Sequence, residues 1–330
     1  MRRIAVVTSG GDSPGMNAAV RAVVRACDAA GVPVVGVEGG FAGLVDGRLR
    51  PLDARSVSGI LQRPGTLLGT GRCPAFRSSE ARREGGKHLA VAEVDGLVVI
   101  GGVGSLRGAE ALSRETPVRV AGVPGTIDND VGGTDWSLGL DSAVNSALTA
   151  IDQIRDSASS DGRVFLVEVA GRHAGWVSLL AGLTGGASHV VVPERAVDLA
   201  ALRADVRGAF DRGKAFCLVV VAEGTRPGGV YELAERLDAE LDDVETRVTV
   251  LGQLQRGAAP TMRDRLLGSV LGDAAVDALV DGEDRVLLGE RAGRVVRVPL
   301  SRAWTAPATL SADLTLFPYT TLFRSRKSVV

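Results

Sequence analysis

Residues 4–30 read IAVVTSGGDSPGMNAAVRAVVRACDAA, and the change of pattern along them decides the architecture. A short β-branched run, Ile4 to Thr8, closes on Ser9-Gly10-Gly11, and an Ala/Val/Arg pattern of helical period then runs from Met16 to about Ala30. Strand, glycine loop and helix in that order form half of a βαβ unit. Working outward, the unit recurs: Val34 to Val37; Leu97 to Ile100 with a helix from Ser105; Val118 to Val123 with a helix from about Asp141 to Arg155. The second half repeats it with strands near Val164 to Val169, His189 to Val192, Phe216 to Ala222 and Thr246 to Leu251, and helices near Leu199 to Phe210 and Tyr231 to Leu241. Almost wholly apolar strands separated by helices imply parallel sheets covered on both faces, so the expected fold class is α/β with two doubly wound lobes.

Bulk properties exclude several classes. With 330 residues, 45% hydrophobic, 23% charged and a net charge of -1, the chain has the composition of a two-domain globular protein. No summed positive field attracts nucleic acid or an anionic membrane. Any anionic ligand must be held by local arginines. Cys27, Cys73 and Cys217 lie far apart without CxxC spacing, which argues against a disulfide framework or a zinc site. The opening MRRIAVVTSGGD has too short an apolar run for a signal peptide, and no run approaches membrane-spanning length, so a cytoplasmic location is expected.

Residues 122–135, GVPGTIDNDVGGTD, place Thr126, Asp128 and Asp130 just past a strand, where open α/β sheets put their ligands. A carboxylate there can take a proton from a substrate hydroxyl. The same composition also serves an Asx-rich turn, and the stretch alone leaves both open. Glycine loops at Gly10–Gly15 and Gly101–Gly108 follow apolar strands and let backbone amides approach a phosphate. Each is equally readable as a tight turn, and neither is a Walker or GxGxxG form. Arg72, Arg163, Arg172, Arg247 and Arg256 lie near glycines or strand ends, where guanidinium groups can clamp phosphates. The histidines, His88, His173 and His189, give little support to a His-based triad or HExxH site.

Taken together and in order, GGDSPGMNAAVRAVVR, GVPGTIDNDVGGTD, VEVAGRHAGW, VVVAEGTR and VLGQLQRGAAPTMRDR are specific. The sequence resembles the 6-phosphofructokinase family, bacterial ATP-dependent type, to about Asp281. The resemblance implies Rossmann-like lobes at 1–140 plus 255–304 (nucleotide) and 141–254 (sugar phosphate), usually as a homotetramer. It implies ATP-dependent phosphorylation of fructose 6-phosphate at its 1-hydroxyl in glycolysis, with Mg2+. Asp128 would be the general base, Thr126 and Asp130 would hold the reacting centre, and Arg172 would stabilise the transferring phosphoryl group. Gly11, Arg72, Gly102, Gly104 and Ser105 would meet the nucleotide. Ala170, Gly171, Glu223, Gln253 and Arg256 would meet the sugar phosphate, with Arg163 and Arg247 supplied by a neighbouring subunit. Glycine at 104 and 125, where pyrophosphate-using relatives generally carry Asp and Lys, would leave room for ATP.

The same comparison marks departures. Val103 stands where the family's magnesium aspartate is usual, leaving Ser105 to hold the metal through water. Gln253 replaces a histidine. Arg21, Arg25, Arg155, Arg212 and Lys214 match a basic effector site for nucleoside diphosphate or phosphoenolpyruvate, but Ala54 and Ser188 replace its usual arginine and glutamate. A catalytically weakened binding or regulatory homologue, and a kinase for another sugar phosphate, are the alternatives. Residues 313–330, within DLTLFPYTTLFRSRKSVV, break the pattern and resemble a translated sequencing adapter, hence a non-native tail.

Overall fold

A computed structural model describes residues 1–157, 162–226, 228–241 and 244–310; the 313–330 tail lies outside the described residues. The chain forms two compact units. Met1–Ser142 with Arg256–Ala308 is the first; the second spans Ala143–Gln255 and takes up the chain again at Thr309.

In the first unit the chain runs β1 (Ile4–Ser9), α1 (Met16–Ala29), β2 (Val34–Val37), α2 (Gly40–Val45), β3 (Leu49–Leu52), α3 (Ser79–Val91), β4 (Gly96–Gly101), α4 (Val103–Glu115) and β5 (Arg119–Pro124). The second unit carries most of α5 (Leu140–Ser157), then β6 (Arg163–Val169), α6 (Trp176–Thr184), β7 (His189–Val191), α7 (Leu199–Asp211), β8 (Phe216–Ala222), α8 (Gly229–Glu240) and β9 (Thr246–Val250). The chain then returns to the first unit with α9 (Met262–Val280), β10 (Val286–Arg291), β11 (Arg294–Pro299) and α10 (Arg302–Thr305).

Period-2 alternation explains how one apolar strand serves two layers. Ile4 and Val6 of β1, with Val98 and Ile100 of β4, join a core under α1 and α9. Ala5 and Val7, with Leu97 and Val99, join the opposite core with Leu44, Leu89 and Leu106 from α2, α3 and α4. The sheet order is β11-β10-β5-β4-β1-β2-β3. From β1 the chain moves outward to β2 and β3, then returns to the other side of β1 as β4. The carboxyl ends of β1 and β4 therefore flank a topological switch point, where such sheets bind ligands.

Two edges depart from the all-parallel expectation. β3 pairs antiparallel with β2, and β10–β11 is an antiparallel hairpin. Its two-residue turn, Ala292-Gly293, has φ values of 49° and 77°, the left-handed pair that a tight hairpin needs. The second sheet, β7-β8-β6-β9, is parallel throughout; β9 crosses to the far side of β6, making β6 its switch strand. No helix among the described residues is long and apolar enough to cross a membrane.

Candidate active site

In the first unit, three loops meet the carboxyl ends of β1, β4 and β5. Gly10 takes φ 96°, turning the chain off β1, and its amide donates to the carbonyl of Gly71 at 3.2 Å. This brings the exposed Arg72 beside the glycine loop. The loop after β4 is stitched to β1 by Ser105 Oγ donating to Ser9 Oγ at 3.0 Å. Helix α4 starts behind an extended Gly102 with no side-chain cap; the Ser105 and Leu106 amides donate to Gly102 O at 3.0 and 3.1 Å, which leaves the Val103 and Gly104 amides at the helix end for an anion. A Cβ built on Gly104 would meet nothing within 4 Å; the space above this helix end is open. A Cβ on Gly125 would lie 3.1 Å from Met16 Cε and 3.3 Å from the Gly101 amide nitrogen, so a side chain there needs the end of Met16 to give way.

The β5 loop is locked from within. Asn129 is buried with φ 53°. Its Oδ1 accepts from the Ser137 amide at 2.7 Å and hydroxyl at 2.9 Å, and its Nδ2 donates to Asp135 O at 3.0 Å. Ser137 Oγ also donates to Thr126 O at 2.7 Å. Burial then alternates: Ile127 and Asn129 point inward, while Thr126, Asp128 and Asp130 are only half-buried. The Asp128 amide donates to Thr126 Oγ1 at 3.2 Å, which ties the Thr126 side chain to the Asp128 backbone. The turn reading and the carboxylate reading thus describe one object, an Asx-centred loop that presents two aspartates.

Arg256 lies in this unit, not with the second sheet: its Nη1 donates to Asp12 O at 3.1 Å, and a Cβ on Gly11 would sit 2.9 Å from that nitrogen. The glycine thus makes way for an arginine 245 residues later. Val103 opens α4 half-buried and packed on the apolar cluster of Leu106 and Leu112, and a hard cation finds no oxygen on it. Among the described residues no group of three or more His, Cys, Asp or Glu side chains could hold a metal. The protein side of this site does not fit a resident magnesium ion.

In the second unit, Arg172 and Glu223 stand just past the carboxyl ends of adjacent strands β6 and β8, where Val169 pairs with Ala222. Arg172 Nε donates to Glu223 Oε1 at 2.8 Å. The Glu223 amide donates to Val169 O and the Gly224 amide to Gly171 O, both at 2.9 Å. Beneath them, burial and the neighbouring Glu223 charge raise the Glu168 carboxyl above its ordinary range, against the amide of Val230. A cleft of about 400 Å³ opens here, lined by Arg172, His173, Glu194, Arg195, Gly224 and Arg226.

Gln255, a residue the sequence reading passed over, is fully buried; its Oε1 accepts from Ala170 N at 2.7 Å and its Nε2 donates to Ala143 O at 3.2 Å. It fixes the Ala170-Gly171-Arg172 turn, while Gln253 beside it is exposed. The QxQR spacing, putting both glutamines before the arginine, was the available signal. Arg163 and Arg247 lie at the opposite end of this sheet, at the amino ends of β6 and β9, and both pair with Glu245. Six strand steps from Arg163 to Val169 span ~20 Å, so one copy of the unit does not bring them to Arg172. Of the effector residues, Arg155 donates to Gly185 O, and Lys214 Nζ donates to Ser188 Oγ at 3.1 Å. Arg21 and Arg25 belong to α1 in the first unit.

The family model described as Phosphofructokinase matches residues 3–279. The chain belongs to the phosphofructokinase family. It is 52% identical over 303 residues to ATP-dependent 6-phosphofructokinase 1 of Thermus thermophilus, covering 92% of this chain and 94% of that relative. To the ATP-dependent 6-phosphofructokinase of Bacillus subtilis it is 46% identical over 296 residues, covering 90% and 92%. The solved phosphofructokinase of Saccharomyces cerevisiae superposes with a TM-score of 0.86 at 35% identity, over 92% of this chain but 45% of the yeast chain. A pyrophosphate-dependent phosphofructokinase from Marinobacter aquaeolei gives 0.82 at 22% identity, over 94% of this chain and 86% of that one, which speaks to the fold alone.

Proposed function

We propose that the chain is an ATP-dependent 6-phosphofructokinase of the cytoplasm, transferring the γ-phosphoryl group of ATP to the 1-hydroxyl of fructose 6-phosphate. The observation that carries this reading is the locked β5 loop, which presents Asp128 beside Thr126 at the carboxyl edge of the first sheet. Asp128 takes the hydroxyl proton as the oxygen attacks; Thr126 and Asp130 orient the acceptor. The uncapped α4 end with Gly102, Gly104 and Ser105, and the glycine loop with Gly11 and Arg72, receive the nucleotide through backbone amides and one guanidinium. Magnesium would arrive with ATP as part of that substrate and would supply charge neutralisation, with Ser105 the residue left to hold it through water. Arg172 stabilises charge on the transferring group and is aimed by Glu223, while Ala170, Gly171, Gln253 and Arg256 complete the sugar-phosphate contacts.

A homotetramer belongs to the same proposal, with Arg163 and Arg247 serving a neighbouring copy. Their position at the far end of the second sheet supports it. So does an exposed apolar stripe on α9, where Met262, Leu266 and Val270 recur every fourth residue. The proposal extends to an effector role for Arg21, Arg25, Arg155, Arg212 and Lys214 toward nucleoside diphosphate or phosphoenolpyruvate. The test is a magnesium-dependent assay on the purified protein with ATP and fructose 6-phosphate; absence of fructose 1,6-bisphosphate rejects the reading.

Val103 favours a second reading, a weakened homologue that binds nucleotide and sugar phosphate but turns them over poorly. Calorimetric binding of both ligands without product is its signature.

A further inference from the structure

The first turn of α9 grips the exit of the β5 loop. Asp264 is buried, with 1% of its surface exposed. Its Oδ1 accepts from the Gly139 amide at 2.8 Å; its Oδ2 accepts from the Ser142 amide at 2.9 Å and from the Ser142 hydroxyl at 2.5 Å. These amides belong to the N-terminal turn of α5, so a carboxylate from one helix caps another, at the end where a negative charge is favoured. Its neighbours reinforce the contact. Thr261 N donates to Ser142 Oγ at 3.0 Å, Thr261 Oγ1 donates to Asp141 Oδ2 at 2.6 Å, and the Arg263 guanidinium lies 3.8 Å over the Trp136 ring.

The held segment reaches directly back to the acidic loop. Thr126 N donates to Leu138 O at 3.1 Å and Leu138 N donates to Pro124 O at 2.9 Å. Ser13, from the glycine loop, donates its hydroxyl to the same Leu138 carbonyl. Asp264 also abuts that glycine loop: a Cβ on Gly15 would lie 3.0 Å from the Asp264 carbonyl oxygen and 3.2 Å from its Cβ. One buried side chain is thus packed against the loop assigned to nucleotide and bonded to the loop assigned to the base.

We propose that Asp264 is a positioning residue for the phosphoryl-transfer site, holding segment 138–142 so that Thr126 and Asp128 keep their place relative to the glycine loop. The inference rests on the proposed kinase reading for its catalytic consequence and on geometry alone for its structural one. Asp264→Asn keeps the shape but puts a donor where the Ser142 amide and hydroxyl need an acceptor. Ser142→Ala is the gentler second variant, removing the hydroxyl that donates to Asp264 and accepts from Thr261 N while leaving both amide bonds to the Asp264 carboxylate. Leu271→Ala, about two helix turns further along α9 in the buried core, is a control for general loss of stability.

The expected result for Asp264→Asn is a fall in kcat of about 100-fold, the scale of an ~1 Å misplacement at a reacting centre. KM for ATP should stay within about twofold, and amide hydrogen exchange across 125–142 should accelerate. Ser142→Ala shows the same pattern in smaller measure; Leu271→Ala loses melting temperature but keeps kcat. A kcat loss in Asp264→Asn no greater than in Leu271→Ala, or unchanged exchange across 125–142, overturns the proposal. Should Asp264→Asn fail to fold, Ser142→Ala with unaltered kcat and exchange does so equally. If the unmodified protein itself shows no turnover, the kinase reading fails, and the exchange measurement still decides the role of Asp264.

Discussion

Replacing Val103 by Asp tests whether the missing carboxylate limits the reaction. Val103 is half-buried against the Leu106 cluster, so losing its apolar contact costs about 1 kcal/mol. The first turn of α4 carries no acidic residue, and a carboxylate there returns about 0.5 kcal/mol from the helix dipole. Stability should therefore change little, leaving activity as a clean readout. A carboxylate within ~4 Å of a divalent cation would gain ~2 kcal/mol even at the dielectric of water. We expect kcat/KM to rise about 100-fold, equivalent to ~2.7 kcal/mol, and the magnesium concentration for half-maximal rate to fall. A coupled assay of fructose 1,6-bisphosphate formation, run across a magnesium titration, measures both. Val103→Asn is the uncharged control. Equal rates for the unmodified protein, Val103→Asn and Val103→Asp would refute the electrostatic reasoning.

Four further outcomes follow from the same geometry. Asp128→Asn should lower kcat about 1,000-fold while leaving nucleotide affinity, measured by calorimetry, within about twofold, since only the proton acceptor is removed. Arg172→Ala should cost about 100-fold or more in kcat, and Arg172→Lys should recover part of it, because the charge survives but the geometry toward Glu223 does not. Burial pushes the Cys27 thiol up to about 12 and raises Cys217 as well, so a disulfide reagent at pH 8 should titrate Cys73 alone in the native protein and all three cysteines after denaturation. Finally, burial would raise the Asp95 carboxyl, but the Arg2 and Arg3 amides and the N-terminal charge outweigh it and hold the group below its ordinary value. A carboxylate favoured in this way stabilises the fold above its unfolded value near pH ~4 and loses that contribution as pH falls through the lower folded value. Asp95→Asn should therefore flatten the acid limb of the melting-temperature profile.

What was legible and what was not divides along one physical line. Strands β1, β4 and β8 announced themselves because burial on both faces leaves almost no polar position in their cores, and β6 did so through Val164 to Val167 despite the half-buried Glu168. The glycine loops did so because only a residue without Cβ tolerates φ 96° at Gly10. The β10–β11 hairpin escaped because β11 is an edge strand with only exposed and half-buried positions, and its Ala292-Gly293 turn lacks the Asn or Asp that usually signals one. At Gly125 a sequence shows an absent side chain but not the neighbour, the end of Met16, that an added Cβ would meet at 3.1 Å.

Asp264 was the hardest to read, and its case shows why. Thr261 and Asp264 are spaced as a helix cap and its acidic partner, a local motif on an exposed first turn. Thr261 Oγ1 does accept from the Asp264 amide at 3.4 Å. The carboxylate, however, serves Gly139 and Ser142, some 120 residues earlier in the chain. A composition scan gives such a residue the same weight as any surface aspartate. Only the fold, by bringing the start of α9 against the start of α5, turns it from a local cap into the group that holds the exit of the β5 loop. A change at Asp264 should consequently reach Asp128 through the backbone of 138–142 and leave the charge and burial of Asp128 itself untouched. For that reason a loss of kcat at unchanged ATP affinity, with Asp128 still in place, separates positioning from chemistry at this site.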